Sequence, residues 1–83
     1  MRSFKNRKRC KRFVGSRLRD CLLKHNYTYQ AFADEIGITA AYVSGIVNGQ
    51  TDPSVEILYA FAAKLGVSTD WLLGLTDYPY RSM

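Results

Sequence analysis

The sequence predicts an all-α fold, a compact bundle of five short helices preceded by a basic N-terminal arm. From Ser16 to about Leu75 apolar residues recur at helical spacing. Gly, Pro, Ser and Thr punctuate them where helices start and stop, and no segment alternates apolar and polar residues as a strand would. A chain of 83 residues allows one domain at most and a modest core, which favours a helical bundle over an enzyme.

The first helix is expected from about Ser16 to His25, with Leu18, Cys21 and Leu22 on one face and Asn26 as a left-handed stop. The second starts at Thr28 as N-cap, buries Phe32, Ala33 and Ile36, and ends at Gly37. Thr39 caps the third, which buries Val43, Ile46 and Val47 and ends at Asn48-Gly49. After the turn "QTDPS", Ser54 caps a fourth helix carrying the strongest apolar stripe, Leu58, Phe61, Ala62 and Leu65, with Gly66 as its stop. A short fifth helix follows Ser68, with Asp70 near its positive end and Trp71, Leu72 and Leu75 as apolar anchors. This divides the chain into a basic flexible arm over residues 1–14, a helical domain over 15–76 and a C-terminal tail over 77–83.

Charge is distributed unevenly. Residues 1–24 hold ten Lys/Arg against one acid, Asp20, whereas the remainder holds Lys64 and Arg81 against six acids, so a total of +5 resolves into +9 and −4. The arm contributes Arg2, Lys5, Arg7, Lys8, Arg9, Lys11 and Arg12. A solvated tail would aid solubility with such a composition. The density of charge argues instead for a polyanionic partner, met through phosphates or the minor groove.

Two cysteines, Cys10 and Cys21, make no disulfide framework and have no metal-ligand spacing with His25, so no metal and no cofactor is expected. Cys21 reads as a small core residue and His25 as a solvated helix end. No apolar run approaches a membrane span, no secretion signal is visible, and a cytoplasmic location is expected. No Ser/His/Asp arrangement or carboxylate pair suggests catalysis.

The informative stretch is "YQAFADEIGITAAYVSGIVN", Tyr29 to Asn48. Ala33 is small where a second helix would cross its backbone. Gly37 supplies a positive φ for the turn. Val43 and Ile46 would seat the second helix on the first, as in a helix-turn-helix. With these positions in register, the stretch from Leu18 to Gly74 resembles the five-helix DNA-binding domain of lambda-type phage repressors and XRE-type regulators. The resemblance also includes "LRDCL", "VNGQTDPSVEIL" and "AAKLGVSTDWLLGLTD".

The resemblance implies double-stranded DNA as partner, homodimers on two half-sites, and the third helix in the major groove. Position by position, base-reading sites fall on Ala40, Ala41 and Gly45, with Thr39, Tyr42 and Ser44 beside them. The Gln and Arg that relatives often place there, and which contact bases bidentately, are missing. Thr28, Tyr29, Gln30 and Asn48 are the expected phosphate neighbours. Gln50 and Thr51 stand where basic residues often follow the Asn-Gly pair. An Arg–Glu pair common in relatives is replaced by Leu22 and Val47, a double exchange that removes both charges together. Helix five and the tail, through Trp71, Leu72, Leu73, Tyr78 and Tyr80, are candidates for a dimer seam.

Two readings of Ala40 and Ala41 stand side by side: helix formers on a solvated face, or contacts that press with the Thr39 methyl on thymine methyl groups. Gly45 fits either a close approach or tolerated drift. The leading function is therefore a sequence-specific regulator of transcription, a repressor by resemblance. The alternatives are an antitoxin-like or adaptor module docking a protein partner on its apolar third helix, and RNA binding through the arm.

Overall fold

The computed structural model describes residues 7–80, with side chains described from residue 13 onward. Five helices follow one another: α1 (Arg7–Lys24), α2 (Tyr29–Ile36), α3 (Ala40–Val47), α4 (Val55–Leu65) and α5 (Thr69–Leu72). No strand occurs among the described residues.

Local chemistry sets most of these boundaries. Thr28, Thr39, Ser54 and Ser68 all adopt extended backbone angles, and each side-chain oxygen accepts from the amide three residues on, at 3.0–3.2 Å. Each bond satisfies an amide that helix geometry leaves without an internal partner. Asn26 ends the α1 segment at φ 59°, as expected of its short polar side chain. Gly37 closes α2 at φ 87°; its amide and that of Ile38 both donate to the Ala33 carbonyl. A Cβ there would meet nothing within 4 Å, so the turn requires glycine for its backbone angle rather than for space.

The start of the first helix differs from expectation. Helical backbone begins at Arg7 rather than near Ser16, so residues 7–14, read from sequence as flexible arm, extend α1 by two turns. Arg and Lys are good helix formers, and the packed part of α1 has already met the cost of nucleation. Arg2 and Lys5 lie outside the described residues.

The core joins all five helices. Val14, Leu18 and Leu22 from α1 meet Phe32, Val43, Ile46, Phe61 and Leu72, each at most 2% exposed. Full burial of such a side chain is worth about 1.5–3 kcal/mol. Val14 and Val67 join this core without having been anticipated. Ile36, Val47, Leu58 and Trp71 pack against its margin and are half-buried. Leu75, expected as an anchor, is 74% exposed because α5 stops at Leu72 and a left-handed Gly74 turns the chain outward. Cys21 is buried, and that burial pushes its thiol pKa up.

One contact sets how α1 lies on α3. At Gly15 an added Cβ would stand 2.5 Å from the Val47 carbonyl oxygen and 2.8 Å from that of Ile46. The backbones touch because no side chain intervenes. On the far side of the bundle, Lys64 of α4 pairs with Glu35 of α2 at 2.6 Å, and the Tyr27 hydroxyl donates to the same carboxylate at 2.8 Å.

Gly15→Ala should lower stability by about 1–2 kcal/mol in denaturant titration: against backbone that cannot swing aside, overpacking falls in the upper part of its range, about 2–3 kcal/mol, and outweighs the roughly 1 kcal/mol of helix propensity gained. The hydrogen bond from Lys64, then that from Tyr27, holds the Glu35 carboxyl below its usual range, and Glu35 raises Lys64 and Tyr27 in turn. The Glu35 contribution is accordingly present above the ordinary carboxylate range and is lost as pH falls through the lowered folded value. Those of Lys64 and Tyr27 are lost as pH rises through their raised values. Thermal unfolding of Glu35→Gln beside the parent should show a deficit at neutral pH that vanishes at both extremes.

Candidate nucleic-acid interface

The α2–turn–α3 unit is built from short-range bonds and then held from behind by α1. Ala33, Val43 and Ile46 are essentially inaccessible, which turns the opposite face of α3 outward. Thr39, Ala41 and Asn48 are exposed, while Ala40, Tyr42, Ser44 and Gly45 are half-exposed. Thr28, Gln30 and Gln50 are exposed as well, with Tyr29 and Thr51 half-buried. The twelve candidate contact residues therefore occupy the two capping turns, α3 and the segment after it.

Several of these side chains already have intramolecular roles. The Tyr29 and Tyr42 rings pack on the core. Asn48 donates its amide to the Ser44 hydroxyl at 3.3 Å, one helical turn away. Gln30 donates to the Asp34 carboxylate at 2.7 Å, which places a negative charge beside a candidate phosphate contact. Thr39 Oγ1 is occupied by the Tyr42 amide, leaving its methyl as the group able to press on another surface.

Gly45 has a specific neighbour. A Cβ there would lie 2.6 Å from Thr51 Oγ1 and 3.3 Å from Thr51 Cβ, and the amides of Gln50 and Thr51 both bond to the Gly45 carbonyl. The chain after α3 thus folds back over this glycine. The missing side chain makes room for Thr51 within the protein.

Between Ala40 and Val47 there is no charged residue. Positive charge comes from α1, which packs on α3 and continues back to Arg7 through the sequence "RKRCKR". Arg17 is not part of that supply. Its guanidinium lies 4.9 Å from both the Phe13 and Trp71 ring centres. It also donates to the carbonyls of Trp71 and Thr76 and reaches the Asp77 carboxylate at 3.4 Å. The sequence reading missed this cluster, although Phe13 and Arg17 stand one helical turn apart and could have been paired.

The candidate dimer residues separate. Leu72 is fully buried within the protomer and cannot form a seam. Trp71 and Leu73 are half-buried, Trp71 against Arg17. Tyr78 and Tyr80 are 63% and 54% exposed and contact each other edge-on at 5.6 Å, and the Pro79 carbonyl between them accepts from the Ser68 amide. Among the described residues no helix is long and apolar enough to cross a membrane.

Known proteins share this arrangement. The chain is 37% identical over 59 residues to the SPbeta prophage-derived uncharacterized HTH-type transcriptional regulator YonR of Bacillus subtilis, covering 71% of this chain and 55% of the relative. It is 35% identical over 63 residues to the uncharacterized HTH-type transcriptional regulator YobD of the same organism, covering 76% and 56%. It thus spans little more than half the length of either. A crystal structure of a hypothetical transcription factor, NHTF from Neisseria, superimposes with a TM-score of 0.71 at 20% identity, covering 77% of this chain and 74% of that one, a likeness of fold. A family model described as helix-turn-helix matches residues 18–72, from the buried face of α1 to the end of α5, and the chain belongs to the XRE-type helix-turn-helix family.

Proposed function

We propose that this chain is the operator-binding domain of a transcriptional regulator, with α3 in the major groove of double-stranded DNA and the basic segment before Phe13 on phosphates. The outward face of α3, uncharged and small at Ala40 and Ala41, carries the reading. It can approach base edges closely, while the absence of Arg, Asn and Gln from its first turns removes the bidentate contacts that dominate direct readout. Sequence choice then rests on thymine methyls against Ala40, Ala41 and the Thr39 methyl, on the Ser44 and Tyr42 hydroxyls, and on DNA shape.

Thr28, Tyr29, Gln30, Asn48, Gln50 and Thr51 flank that face and would meet the backbone, with Gln30 first exchanging Asp34 for its phosphate. A homodimer fits two half-sites. Exposed Tyr78 and Tyr80, with half-buried Leu73, support a seam through the end of α5 and the tail. Repression is the mode we favour, since a domain bound at an operator can act by occupying it.

Selection from a random duplex pool should enrich a roughly two-fold symmetric site; recovery of no motif would refute sequence-specific reading. Ala41→Glu should reduce binding to the selected site by at least about 100-fold, since the new carboxylate would face phosphates. The same charge in the first turn of α3 favours the helix dipole, so the thermal midpoint should not fall. Unchanged binding would take α3 out of the groove. For the dimer, Tyr78→Ser with Tyr80→Ser should shift the mass by light scattering toward the monomer.

A further inference from the structure

The basic stretch and the packing surface behind α3 belong to one continuous helix, α1, and that helix is gripped on two sides immediately after Arg12. Phe13 and Gly15 fall within one turn of α1, directly following Arg12. On one side Gly15 lies against the final carbonyls of α3. On the other, the Phe13 ring lies over Gly74, where an added Cβ would meet its Cδ2 at 2.5 Å and its Cγ at 2.6 Å. Arg17 closes this second grip. Its guanidinium sits between Phe13 and Trp71, donates to the carbonyls of Trp71 and Thr76, and pairs with Asp77.

The Arg17 side chain is 15% exposed, so it is held inside a clasp rather than offered to solvent. Planar guanidinium suits this place: its fork can serve two carbonyls and a carboxylate at once while its faces stack on rings. A lysine would supply the charge without the plane.

We propose that Arg17 is a positioning residue for DNA binding, fixing through the Phe13–Arg17–Trp71 clasp the direction in which the basic start of α1 leaves the domain relative to α3. Arg17 itself touches no phosphate. Without the clasp, α1 remains tethered at Gly15 but loses its hold on α5 and the tail, and the segment from Arg7 to Arg12 no longer tracks the same backbone as α3. The inference rests on the reading that this segment meets phosphates.

The test measures affinity for a mixed-sequence DNA duplex as a function of salt, because that slope counts phosphates neutralised. Four full-length proteins are compared: the parent, Arg17→Met, Phe13→Leu, and a variant with Arg7, Lys8, Arg9, Lys11 and Arg12 all changed to Gln. Each clasp substitution is also placed in the neutralised background. Far-UV circular dichroism and thermal midpoints accompany every variant. Phe13→Leu alters no charge, so it separates a positioning effect from direct pairing of Arg17 with a phosphate, and serves alone if Arg17→Met does not fold.

Neutralisation should flatten the slope by about 0.9 for each phosphate that the basic segment no longer neutralises. Both clasp variants should flatten it in the parent and leave it unchanged in the neutralised protein. A parent-like slope in the folded clasp variants, or equal flattening in both backgrounds, overturns the positioning role alone. A parent-like slope after neutralisation overturns the phosphate reading of the basic segment and the inference with it.

Discussion

At Gly15 the backbone of α1 comes against the last carbonyls of α3, and the rest of the bundle is arranged around this contact. An ordinary side chain there would hold α1 away from α3 and open the space that Val14, Leu18 and Leu22 fill against Val43 and Ile46. With the gap closed, the buried side of α3 is fully used and its other side has only one direction to face. The same turn of α1 then offers Phe13 and Arg17 to α5, so one short segment orients both α3 and the turn at Gly74.

The proposed function divides the work of binding between two helices. In the proposed reading α3 supplies fit and α1 supplies charge, because the face from Ala40 to Val47 has no ionisable group and α1 starts with a run of them. A good bidentate contact to a base is worth about 1–3 kcal/mol of discrimination. A helix lacking such contacts must draw specificity from methyl packing and from the cost of deforming DNA, terms that are individually small. In the same reading, phosphate attraction from a helical extension would raise affinity while adding register, which a loose arm would supply less well.

Much of the fold was legible from short-range chemistry. Thr28, Thr39, Ser54 and Ser68 as caps, with Asn26, Gly37 and Gly66 as stops, stand where residue type alone places them, since each acts through bonds within a few residues. The N-terminal limit of α1 was not legible. "RKRCKR" holds no apolar period, and periodicity detects only helices that bury a face. Leu72 and Leu75 looked alike as apolar residues three apart; the left-handed turn at Gly74 buries one and expels the other. For the site, sequence spacing assigned Val43 and Ile46 to the inward face of α3 and overstated Val47, but the neighbours of the candidate contact residues, Thr51 over Gly45 and Asp34 on Gln30, depend on how loops and side chains return.

By itself, then, the sequence determined the class, the caps, the family and most buried positions of α2 and α3, with Ile36 and Val47 left at the core margin, because those are set by local backbone preference and by the spacing of apolar residues along a helix. Tertiary structure alone decided the role of Arg17, which sequence counts as one more positive charge and the fold places between two rings, with a carbonyl 59 residues away accepting from it. It likewise decided that Gly15 must be bare. Both depend on what arrives from distant segments, and a side chain's distance from a partner fifty residues on is fixed only when the helices between them have packed.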